Sequence, residues 1–156
     1  MFDAHAFPSS DHEFNYIQCG FRDKKGKTLD RNNLIIRSIE SYKEIVSKGR
    51  WGKWIDIISV FVSDELLNNI KEHFFEYDSN KNYGINTLKL FEIINQMSSG
   101  QSIIFNIITE IVKNIRYDSL IIYDEPETHL HPNAISELTN TLYKLCSEFE
   151  IGRAHV

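Results

Sequence analysis

Apolar residues fall at helical spacing along much of this chain. Between Asn32 and Ser47 they occupy Leu34, Ile35, Ile39, Tyr42, Ile45 and Val46, which places them on one side of a helix. Trp51–Val62 is strongly apolar and fits either a helix or a strand. Ser63 or Asp64 then opens a helix reaching Phe75, with Asp64 and Glu65 suited to its positive end. A polar loop, Tyr77–Gly84, separates it from a helix capped by Asn86 or Thr87 and running through Gln96, with Leu88, Leu90, Phe91, Ile93 and Ile94 as its apolar side. Ser102–Arg116 repeats the pattern through Ile104, Ile107, Ile108, Ile111 and Ile115. After Pro132, the series Ile135, Leu138, Leu142, Leu145 and Phe149 marks a last amphipathic helix. Two segments have strand character instead: Phe14–Gly20, ahead of a charged turn at Asp23–Lys27, and Leu120–Tyr123, read as a short buried strand. Helix, buried strand, acidic tip, helix is an α/β order and predicts a parallel sheet.

At 156 residues the chain can form one domain with a real core, and 42% hydrophobic with 25% charged residues is the composition of a soluble globular protein. The net charge of −5 removes a global basic footprint for nucleic acid. The local cluster Arg22, Lys24, Lys25 and Lys27 reads as a solvated turn. Cys19 and Cys146 match no metal or redox spacing and read as reduced thiols, with a cytoplasmic location expected. No apolar run approaches the roughly 18 residues that suggest a membrane span.

The candidate chemistry lies in two short runs. At 124–126 the apolar segment ends in Asp124, Glu125 and Pro126. Two adjacent carboxylates at a strand tip are costly to bury unless a cation offsets them, so a metal ion is a natural partner. Upstream, MetSerSerGlyGln at 97–101 precedes a helix start, where free backbone N–H groups and the helix dipole favour an anion. Ser98 adds a hydroxyl, and Gly100 permits close approach to the backbone.

The run 119–132 resembles the Walker B region of ABC-type P-loop ATPases, and 97–101 resembles their signature motif, with Met97 and Ser99 as conservative departures. The ThrHisLeuHisPro segment at 128–132 resembles the SMC-like, OLD-like and AAA-domain branch. The resemblance implies a partial P-loop NTPase fold with a helical insert region, binding ATP and Mg²⁺. It implies Asp124 as the metal residue and Glu125 as the base that activates water. Ser98, Ser99, Gly100 and Gln101 would bind the γ-phosphate of ATP held by a second subunit, in an ATP-driven homodimer. His131, grouped with Glu125 as catalytic, would sit where an Asp often meets that subunit, and Glu127 would be a second acid near the nucleotide. DNA or an effector protein would be a further partner.

A phosphate-cradling Gly-x-x-x-x-Gly-Lys-Ser/Thr loop is missing; GlyLysThr at 26–28 has Phe21 where the first Gly belongs. The chain is therefore expected to begin downstream of that loop and to hydrolyse ATP only within a longer parent. Its expected division is a helical insert region at 1–85 and a signature–Walker B region at 86–150. Residues 151–156 form a non-native tail in this reading, because IleGlyArgAlaHisVal reads back into codons that resemble a sequencing adapter. The EF-hand-like run from Asp78 is rejected, because its sixth and twelfth positions are Tyr83 and Lys89. A zinc role for His129 and His131 is subordinate to the family reading. The alternative function is a non-catalytic dimerisation or scaffold module that kept the ATPase fold.

Overall fold

The computed structural model describes residues 31–77, 83–116, 119–123 and 130–151. Phe14–Gly20, the basic cluster and residues 152–156 lie outside them. The described residues form six helices: α1 (Arg31–Ser47), α2 (Trp51–Ile58), α3 (Asp64–His73), α4 (Thr87–Gln96), α5 (Ser99–Asn114) and α6 (Pro132–Glu148). One small hairpin, β1 (Phe75–Tyr77) and β2 (Tyr83–Ile85), pairs antiparallel with Phe75 opposite Ile85.

The expected α/β P-loop architecture is not what forms. The one sheet among the described residues is this two-stranded hairpin, whose strands overlap only the ends of the expected polar loop Tyr77–Gly84 and whose Phe75 falls at the end of the expected helix. Residues 119–123 join no ladder among the described residues. The helical readings hold closely. Ser63 caps α3, accepting from the Leu66 N–H, and Asn86 caps α4, accepting from the Lys89 N–H at 2.9 Å. The ambiguous run at Trp51–Val62 resolves as α2 followed by a buried turn at Phe61 and Val62.

Helix α5 is the centre of the molecule, with Ile104, Phe105, Asn106, Ile107, Ile108, Thr109, Ile111 and Val112 all buried. Helix α1 lies along it in the same direction, and a polar ladder holds the register. Ser38 Oγ donates to Asn106 Oδ1 at 2.6 Å, Ser41 Oγ donates to Glu110, and Lys48 Nζ donates to the Lys113 carbonyl at 2.8 Å. A Schellman turn ends α1: Gly49 takes φ +66°, Gly49 N–H bonds the Val46 carbonyl and Arg50 N–H bonds the Ile45 carbonyl. The turn aims Arg50 at the far end of α5, where its guanidinium donates to the Val112 and Lys113 carbonyls at 2.7 and 3.0 Å. Those carbonyls have no partner inside the helix, and a cation there also suits the helix dipole.

Between α1, α2, α5 and the hairpin sits an aromatic cluster. Tyr42 meets Phe74 edge-on at 5.0 Å and Trp54 at 5.5 Å, and Trp54 meets Phe105 at 5.4 Å. Trp54 Nε1 donates to Thr109 Oγ1 at 3.1 Å, so the indole is buried without an orphaned donor. Helix α6 is fastened at its C-terminal end by Phe149, which lies under the cations of Arg50 and Lys53 at 5.5 and 4.9 Å. A second Schellman turn closes α6, with Ile151 N–H on the Cys146 carbonyl at 2.9 Å and Glu150 at φ +53°. Ile151 packs against the core, so the first residue of the expected tail takes part in the fold.

Two outcomes follow from this packing. Glu150 holds a left-handed conformation that costs an ordinary residue roughly 1 kcal/mol. Glu150→Gly is expected to stabilise the protein by about 0.5–1 kcal/mol in chemical denaturation; a destabilised variant would contradict the turn. The second concerns Tyr42, whose buried hydroxyl completes no hydrogen bond among the described residues, although Ser38 and Thr109 flank it. Burial pushes its phenol well above the ordinary tyrosine range. An unfolded tyrosine ionises near pH 10 (roughly the model-peptide value), whereas the folded one keeps its proton, so stability is full below that pH and falls as pH rises past it. Tyr42→Phe should change stability by less than about 1 kcal/mol at neutral pH and reduce the alkaline loss. An alkaline loss as steep as in wild type would refute the assignment.

Candidate functional site

The signature-like run occupies the joint between α4 and α5. Met97 ends α4 with its side chain buried, anchoring the turn in the core. Ser98 is the N-cap of α5, and its hydroxyl accepts from the Gln101 N–H at 3.1 Å. Gln101 reaches back, its Oε1 accepting from the Ser98 N–H at 3.1 Å, which completes a capping box. The other end of the same amide donates to the Phe61 carbonyl at 3.0 Å and ties the cap to the turn after α2. Ser102 Oγ donates to the Ser98 carbonyl at 2.9 Å. Ser99 is the first helical residue and is exposed.

Gly100 has a packing role. A Cβ placed on it would lie 2.9 Å from Ala134 Cβ on α6, too close for two carbons. The starts of α5 and α6 therefore meet here, and a side chain at position 100 would push them apart. His131 is the exposed N-cap of α6, its Nδ1 accepting from the Asn133 N–H at 3.5 Å, and Pro132 opens the first turn. The structure thus brings His131 and the signature-like run to one end of the bundle. Asp124, Glu125, Glu127 and His129 lie outside the described residues.

Between these ends runs the segment read as a buried strand. It alternates: Ile121 and Tyr123 pack on the core, while Leu120 and Ile122 are 75% and 76% exposed. Burial raises the Tyr123 phenol above its ordinary value. The outward face is apolar, which sequence reasoning missed by treating the run as buried on both sides.

The chemistry expected of these residues is corrected by the architecture. Ser98 and Gln101, read as phosphate ligands, spend their polar groups on each other and on Phe61. Among the described residues no group of three or more His, Cys, Asp or Glu side chains could hold a metal ion. Among the described residues there is no sheet that would array a phosphate loop, a metal acid and a base around a nucleotide. ATP and Mg²⁺ binding and ATP hydrolysis, which the α/β fold would have carried, do not follow from this helical architecture, while Asp124 and Glu125 themselves lie outside the described residues. No helix among the described residues is long and apolar enough to cross a membrane.

Comparison with known proteins bears on ancestry. A family described as "AAA domain, putative AbiEii toxin, Type IV TA system" matches residues 24–156. The chain belongs to this family. Protein ea59 of Escherichia phage lambda is 29% identical over 106 residues, a match covering 59% of this chain and 20% of the relative. The chain thus spans about a fifth of the length of that curated relative. No solved structure matches the present chain.

The joint makes a sharp test. Gly→Ala inside a helix ordinarily stabilises by about 0.5–1 kcal/mol. Gly100→Ala is expected to destabilise instead, by roughly 1–3 kcal/mol, as overpacking does. Adding Ala134→Gly should recover most of the loss, measured by urea denaturation. Ser98→Ala should cost about 1 kcal/mol. A stabilised Gly100→Ala variant would show that the two helices do not meet as described.

Proposed function

We propose that this chain is a non-catalytic helical interaction module of an AAA-family protein, associating with a second copy of itself. The observation that carries the reading is the ribbon at 119–123, whose outward side chains Leu120 and Ile122 are both largely exposed while the alternate ones are packed. Two neighbouring large apolar side chains on one extended segment are the kind of surface that a partner covers. Face-to-face packing across a two-fold axis would set Leu120 and Ile122 of one copy on those of the other, a self-complementary contact. The signature-like residues support the non-catalytic part, because they hold the α4–α5–α6 joint together. On the likeness of Met97–Gln101 and Ser119–Pro132, we place the chain near the SMC-like and OLD-like branch as sequence kinship, without its nucleotide chemistry. The family description suggests a toxin–antitoxin setting for the parent protein.

The contact is small. Burying four such side chains yields roughly 5–9 kcal/mol gross, against an association cost of about 4–15 kcal/mol. Only the favourable end of both ranges, about 9 against about 4 kcal/mol, sustains a dimer, and the remaining roughly 5 kcal/mol corresponds to association at about 0.1–1 mM. Sedimentation equilibrium across that range should show concentration-dependent dimerisation, unchanged by ATP and Mg²⁺. Leu120→Glu with Ile122→Glu should stay monomeric while keeping the wild-type helical circular dichroism and melting temperature. A wild type that remains monomeric throughout, or a double variant that dimerises equally, overturns the proposal.

A further inference from the structure

We draw no further inference here: the strongest candidate, the adjoining N-termini of α5 and α6 where Ser98 and Ser99 lie near His131 and Asn133, carries nothing because their caps are satisfied within the chain and nothing in the structure points to a ligand there.

Discussion

Helix α5 sets the constraint on which the rest of the bundle depends. It is apolar around much of its circumference and cannot be left half in water. Cover comes from α1, α2 and α6 together. Because Asn106, Thr109 and Glu110 interrupt its apolar surface, the cover must also carry matching polar groups. Ser38, Ser41 and Trp54 supply them. Sliding α1 by one turn would leave Asn106 buried without its partner, a cost of about 1–3 kcal/mol. The ladder therefore selects one register among the many that apolar contact alone would accept.

The ribbon is a consequence of helix direction. Gly100 against Ala134 places the starts of α5 and α6 together. Arg50 joins their other ends, touching the Val112 and Lys113 carbonyls on one side and Phe149 on the other. The two helices are thus parallel, and the chain must return along α5 to begin α6. Sixteen helical residues rise about 24 Å, which an extended chain covers in roughly seven or eight residues. The segment at 119–123 lies within that return, and its burial alternates because one side, Ile121 and Tyr123, rests on the core while Leu120 and Ile122 face outward. Its β-branched and aromatic residues suit an extended backbone whether or not another strand lies beside it.

This explains why the nucleotide reading was persuasive and still failed. A helix, an extended return and a second parallel helix make up part of the crossover unit from which parallel sheets are built. Here that unit packs on helices and has no neighbouring strand among the described residues. The serine and glutamine of the signature-like run have the residue types to bind an anion. The same types make a capping box, and only the positions of Phe61 and Ala134 show which use is made of them. Family membership records the kinship of the chain, while what its residues do depends on the neighbours they meet.

The local elements were legible in the residues alone. Apolar spacing located the helices, and Ser63 and Asn86 marked the starts of α3 and α4 because capping is decided within a few residues. It placed α5 three residues late, since SerGlyGln looks like loop until the cap is seen to begin at Ser98. It could not tell that Leu120 and Ile122 face outward, because a short apolar run looks the same whether one or both faces are covered. Nor could it reveal the hairpin at Phe75–Ile85, whose strands are three residues each. Tertiary structure decided the parallel direction of α5 and α6, the absence of a sheet beside the ribbon among the described residues, and the packing role of Gly100. Each of these depends on contacts between residues tens of positions apart, and spacing along the chain carries no record of them.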